Sequence, residues 1–367
     1  MKKIILFALA LFSLLCVWNS ESKASQLNFS VTPVIPENQQ DKENSYFDIK
    51  LEPDQEQDLT VTIKNSTDKS VLVNTSINRA TTNLNGVVEY GKIDAKKDSS
   101  LLYNIEDLVK VTEPEIEIPP NGEKNLILKV KAPSVNFDGI IAGGLTFKEK
   151  NNDSGEEEKN NGGLAIKNEY AYVVGFVLHG ENKNIQSNLE LKKVKEGQVN
   201  VRNVINATFQ NPNPMYLNNL TIDAKISKEN STDVLYSSKQ SDMQMAPNSN
   251  FAFPISLKGE SLKSGTYILT VEASSSNDKW KFSKKFTITR KNAQKLNAKD
   301  VSIEKDNSWM FIVLFGVLFT FILVLIYLVL YHRKKERLRR ERIAKSRKRK
   351  QQMKKNREQL KTKNQKK

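Results

Sequence analysis

Between Trp309 and Tyr331 lie 23 residues without a single charge (WMFIVLFGVLFTFILVLIYLVLY). At about 1.5 Å per residue a helix of that length reaches roughly 34 Å, enough to cross a hydrocarbon core of about 30 Å with slight tilt. Trp309, Tyr327 and Tyr331 sit at or near its ends, where amphipathic rings favour the headgroup level. A buried core helix is the alternative, but a globular helix this long without a polar face is unusual. Residues 309–331 are therefore read as a transmembrane helix.

The tail, residues 332–367, holds nineteen Lys and Arg against three Glu, a net charge of +16. Short basic flanks stay in the cytoplasm. At the other end Lys2 and Lys3 precede the apolar run Ile4 to Trp18, and Ser22-Lys23-Ala24 offers small residues around a cut, so 1–24 reads as a signal peptide. These features together predict a single-pass membrane protein, N-terminus outside and tail inside.

Topology changes how the overall charge of +15 is understood. Once the tail and leader are set aside, residues 25–308 carry a net charge of −3. A pI near 9.5 would suggest nucleic acid for an undivided chain. Here the positive charge is gathered at one end, as in a stop-transfer anchor near anionic lipid, and no nucleic-acid partner is expected. Leu338, Ile343, Met353 and Leu360 are too sparse for an apolar stripe.

Cys16 is the only cysteine and falls within the leader, so the exported part must fold on its hydrophobic core without disulfides. Together with heavy Lys and Asn usage this points to a bacterial surface. His179 is the only histidine before the span, which excludes catalytic triads and His-rich zinc sites outside. Residues 151–163 (NNDSGEEEKNNGG) lack the alternating oxygen ligands of a calcium loop and read as a linker. No metal, no cofactor and no enzymatic activity are expected; a binding function is.

The exported region alternates apolar and polar residues in the period of a strand. Leu59–Lys64, Ile116–Ile118, Leu126–Lys131, Leu220–Ile226 and, less regularly, Phe282–Ile288 show it, with Pro, Gly and Asn between them. One stretch differs. Residues 100–110 (SLLYNIEDLVK) place Leu101, Leu102, Ile105 and Leu108 on one helical face after Asp98-Ser99 as caps. An internal repeat runs through the rest: Asn65 in one half and Asn211-Pro212 in the other each follow a strand, and Pro119-Pro120-Asn121-Gly122 and Ala246-Pro247-Asn248-Ser249 each precede one. The fold class predicted is all-β, two Ig-like sandwiches in tandem, at 25–150 and 164–290, then a juxtamembrane linker at 291–308 and the single transmembrane helix.

Several segments resemble one family. Residues 29–39 (FSVTPVIPENQ), 46–48 (YFD), 80–90 (ATTNLNGVVEY) and 137–144 (FDGIIAGG) are similar to the first domain of WxL-interacting proteins. Residues 168–175 (NEYAYVVG), 209–212 (FQNP), 243–249 (MQMAPNS) and 280–282 (WKF) are similar to their second domain. The resemblance covers the whole mature chain, in order. It implies a Gram-positive cell-surface protein whose first domain binds peptidoglycan and whose second engages WxL-repeat surface proteins or host ligands. A direct host-matrix adhesin and a cell-wall-modifying enzyme are the competing readings.

Peptidoglycan presents sugars and short peptides, so its binder needs aromatic faces with amide and hydroxyl groups. Asn38, Gln39, Thr82, Asn83 and Tyr90 supply them. The competing reading has Asn83 and Gly86 forming a hairpin turn and Tyr90 packing on a strand. For a protein partner, Tyr170, Tyr172, Met245 and Trp280 form the candidate patch, with core packing as the alternative.

Overall fold

The computed structural model describes residues 28–92, 96–150, 170–181, 184–276, 278–303 and 308–364. The leader expected at 1–24 and the linker expected at 151–163 lie outside the described residues. Residues 1–303 form one compact unit and 304–367 a second.

The first unit contains two β-sandwiches. In the first, β1 (Phe29–Val34), β3 (Glu56–Asn65), β9 (Glu123–Lys131) and β7 (Val109–Val111) form one sheet in the order β1-β3-β9-β7. The facing sheet has the order β2-β11-β10-β4-β8, from β2 (Phe47–Lys50), β11 (Ala171–His179), β10 (Ile140–Glu149), β4 (Val71–Arg79) and β8 (Glu115–Ile118). The alternation works as a burial code. Leu59, Val61 and Ile63 point inward from β3, with Leu59 opposite Leu128 and Val61 opposite Leu126 of β9, and together with Val130 they meet Leu145, Phe147, Phe176 and Leu178 of the other sheet in one core.

The second sandwich packs β12 (Glu190–Val199), β13 (Arg202–Asn211) and β16 (Ser249–Ser256) on a sheet ordered β15-β14-β17-β18. Its strands are β15 (Val234–Met245), β14 (Leu217–Lys228), β17 (Gly265–Ser275) and β18 (Asp278–Ile288). Phe209 sits at its centre, with the rings of Phe251, Phe253 and Phe282 within 6.1–6.3 Å of it.

The internal repeat is realised atom for atom at one corner of each sandwich. Asn65 and Asn211 are both fully buried at the end of a strand. Each side-chain amide donates at 2.7 Å to the carbonyl four residues on, Lys69 or Met215, and at 3.0 Å to a carbonyl of the later turn, Pro119 or Ala246. In those turns Asn121 and Asn248 adopt φ of 50° and 47°, the left-handed region that asparagine tolerates best after glycine.

Three expectations change. Strand β11, assigned by chain order to the 164–290 domain, pairs with β10 and β2 in the first sandwich, Gly144 opposite Gly175 and Phe176 beside Phe47. Lys148 and Ala171 are cross-strand partners, so β11 lies in the sheet of β10 and the crossing to the second sandwich follows His179. Alternation specifies which face a strand buries, not which sheet receives it.

The helix expected over 100–110 shrinks to one turn, α1 (Ile105–Leu108), because Val109 and Val111 instead pair with Val130 and Leu128 of β9. The linker expected from 291 begins as a folded element: α2 (Arg290–Asn297) is capped by the Thr289 hydroxyl and buries Ala293 in the second core. Asp300 accepts from the Asn203 backbone at 2.7 Å and ties the segment down further.

The second unit is one helix, α3 (Ser308–Asn364), 57 residues long. Its first turns carry the uncharged stretch, long and apolar enough to cross a membrane. Beyond it the helix is cationic on all sides, with Arg337–Glu341 and Glu336–Arg340 pairs one turn apart.

Candidate functional site

Two glycines facing each other across a sheet leave a trough, since neither supplies a side chain to fill the pleat. Gly144 and Gly175 are such a pair, and tyrosines lie in the trough from above. A Cβ on Gly144 would stand 2.6 Å from Cβ of Tyr90, and one on Gly175 would meet Cβ of Tyr46 at 3.4 Å. The Tyr90 hydroxyl is 3.1 Å from that of Tyr216, which comes from the second sandwich.

Register places Ser76, Thr146 and Val173 in one row on this outer face and Asn78 beside the glycine pair. The Asn78 amide donates to Ser76 Oγ at 3.2 Å and to Thr146 Oγ1 at 3.1 Å, and Thr146 in turn donates to the Tyr90 carbonyl at 3.2 Å. Gln39 holds the other tyrosine: its amide donates to the Tyr46 carbonyl at 2.7 Å and accepts from Asp48 N–H at 3.0 Å. Burial pushes the Tyr46 phenol above its ordinary pKa, helped by the charges of Asp48 and Asp41. Burial raises that of Tyr216 much further. The shelf is thus a set of neutral phenols, amides and hydroxyls.

Beside it the sandwiches meet. The two-stranded hairpin β5 (Thr81–Thr82) and β6 (Val88–Glu89) leans on the second sandwich. Thr82 Oγ1 accepts the Ala246 N–H at 3.0 Å and lies 2.9 Å from Ser249 Oγ, while Gln244 N–H reaches Gly86 O at 2.8 Å. Asp98 accepts from Asn250 and, at 2.5 Å, from Gln210. Burial pushes the Asp98 carboxyl up, but the hydrogen bonds from Asn250, Ser100 and Gln210 outweigh it and hold the pKa below the usual value. Gly139, at φ 75°, admits the Pro214 carbonyl to within 2.2 Å of where a Cβ would stand. A cleft of about 290 Å³ opens there between Leu101, Tyr103, Phe137, Pro214 and Pro247.

The residues proposed from sequence are distributed as follows. Tyr90 is on the shelf, and Gln39 is buried beneath its edge. Thr82 is buried in the junction. Asn83 builds the hairpin turn, its Oδ1 accepting from Asn85 and Val87 N–H at 2.9 and 3.1 Å. Asn38 exchanges hydrogen bonds with Gln57 at 2.9 and 3.1 Å, on the loop after β1.

The four partner-patch residues do not gather. Tyr172 packs edge-on to Phe29 at 5.4 Å in the first core, and exposed Tyr170 precedes it. Met245 is fully enclosed in the second core. Trp280 lines an open cleft of about 270 Å³ with Asp223, Lys239, Glu272 and Lys281.

Sequence singled out Tyr46 only within a family-like segment, Asp98 only as a helix cap and Ser249 only in a turn, and Tyr216 not at all. Glycines inside strand patterns were the available signal for the tyrosines, because such positions mark close approach of another group. Among the described residues no three His, Cys, Asp or Glu side chains gather as metal ligands.

A comparison with curated proteins found no match. Among solved structures, the Pseudomonas aeruginosa CupB2 chaperone is similar at 12% identity over 63% of this chain and 92% of that one, TM-score 0.23. The E. coli chaperone DraB is similar at 13% identity, 71% and 98% coverage, TM-score 0.26. At those scores the likeness assigns neither fold nor function. The family models are decisive. Residues 29–149 match the peptidoglycan binding domain of the WxL Interacting Protein and residues 161–298 match its host binding domain. Those two matches, adjacent and in the expected order on two β-sandwiches, place the chain in the WxL-interacting protein family.

Proposed function

We propose that this protein is a membrane-held adaptor at the surface of a Gram-positive bacterium. Its first sandwich grips peptidoglycan and its second engages WxL-type surface proteins or host ligands. The observation that carries this reading is the pairing of two binding-domain matches on one compact unit, followed by a helix fit to span a bilayer. Residues 309–331 are the anchor, the cationic remainder of α3 lies on the cytoplasmic side near anionic lipid, and the leader at 1–24 directs export.

Among the residues expected to contact ligand, Tyr90, Asn83 and Asn38 remain the accessible candidates for the wall and Trp280 for a partner, while exposed Tyr170 directly precedes β11 of the first sandwich. Gln39, Thr82 and Met245 are enclosed and act through packing and positioning. The test is retention: a fragment of residues 28–181 should sediment with purified cell walls, and a fragment of 184–303 should capture secreted surface proteins from the same organism. Failure of the first fragment to bind walls sinks the adaptor reading. Capture of host matrix by the second without any bacterial partner supports the adhesin instead.

A further inference from the structure

We infer that the tyrosine shelf on the outer face of β4, β10 and β11 is a glycan-stacking site that takes the sugar backbone of peptidoglycan rather than its stem peptides. The inference rests on the wall-binding reading of the first sandwich and specifies its ligand and place.

The chemistry of the face selects the ligand. On the outer face of the three strands Ser76, Asn78, Ala80, Ala142, Gly144, Thr146, Val173, Gly175 and Val177 carry no charge, with Asn78, Ala80, Ala142 and Val177 buried; Lys148 stands at one end of the face and the Asp48–His179 pair at the other. Stem peptides carry carboxylates and amines that need counter-charges, and the charged groups here stand at the margins of the shelf, Lys148 at one end and Asp48, paired with His179, at the other. A sugar ring presents an apolar C–H face and a rim of hydroxyl and acetamide groups. Tyrosine rings meet the first; phenol, amide and hydroxyl groups meet the second.

The shelf is also held before any ligand arrives. Carbonyls of Tyr46 and Tyr90 are fixed by Gln39 and Thr146, the Tyr90 and Tyr216 hydroxyls are within 3.1 Å, and the glycine pair lets the tyrosine backbones lie close to the sheet. Backbones already fixed, and a Tyr90 ring held at its hydroxyl by Tyr216, lose little freedom on binding, so more of the stacking energy remains as affinity. Val173, 47% exposed, and Tyr170, 45% exposed, leave apolar surface uncovered at the β11 end, where a linear polymer has room to continue. The matched wall-binding segment, residues 29–149, contains Tyr46, Tyr90, Ser76, Asn78 and Thr146.

The experiment uses the full chain in detergent micelles, at about 0.5 M salt so that the basic tail is screened. Three probes are immobilised: intact peptidoglycan, glycan strands stripped of stem peptides, and stem peptides alone. The wild type should bind the first two and not the third. Tyr46→Leu should weaken glycan binding about tenfold and Tyr46→Phe should stay within about twofold, since stacking needs the ring and not the hydroxyl. Val173→Arg, at an exposed position that leaves folding intact, should block the shelf and weaken binding likewise; it decides the matter if Tyr46→Leu lowers the melting temperature. Binding to stem peptides alone, or undiminished glycan binding by Val173→Arg, overturns the shelf while leaving wall binding standing. Failure of the wild type to bind intact peptidoglycan overturns both.

Discussion

Thr82 shows how one short side chain joins two sandwiches. Its hydroxyl is the acceptor for the buried Ala246 N–H and a neighbour of Ser249, 167 positions away in the chain. Thr82→Val keeps the volume and strands that N–H, which should cost about 1–3 kcal/mol, read as a lower urea midpoint with the slope unchanged. Asp98 works at the same junction through charge. Its folded pKa lies below the unfolded value of about 3.9, so its contribution is complete above that value and is lost as pH falls through the folded pKa. Denaturation midpoints measured on acidification should therefore fall below about pH 4 in the wild type. Asp98→Asn should be less stable at neutral pH and flatter across that window. Tyr90 was legible in the sequence as an aromatic suited to sugar. Its contact with Tyr216 was not, because nothing local links residues 126 apart.

The element with most consequence is β11. It buries Val174, Phe176 and Leu178 in the first core and is the strand on which β2 is paired. Losing three large side chains costs about 2–5 kcal/mol each, against a total stability of about 5–15 kcal/mol for a typical domain. A fragment of residues 28–150 should consequently be unfolded, whereas 28–181 should give dispersed amide signals in a proton–nitrogen NMR spectrum; a well-dispersed spectrum from the shorter fragment would refute this. The other strands were largely readable. Leu59-Thr60-Val61-Thr62-Ile63 is a strand of the expected polarity, and the repeat markers Asn65 and Asn211 turned out to be the same buried corner. Over residues 100–110 the helical spacing of Leu and Ile competes with β-branched Val109 and Val111, and the pairing partner that settles it, β9, comes later in the chain.

On the scale of the whole molecule, the chain divides its chemistry by position: the two family-matched domains within residues 29–298, and an apolar, then cationic, helix beyond them. Truncation after Ile303 should move the protein from the membrane fraction to the soluble fraction while wall binding persists, and a full-length chain found soluble without detergent would count against the anchor. The sequence by itself determined the strand periods, the uncharged span, the separation of charge and the family, because each is written in residues within a few positions of one another or in a fixed order along the chain. Only the tertiary structure decided that β11 completes the first sandwich, that Gln39, Thr82 and Met245 lie inside, and that Tyr46, Tyr90 and Tyr216 share one shelf. Those outcomes depend on contacts between distant segments, whose selection is made by the packing of the assembled core and not by any local pattern.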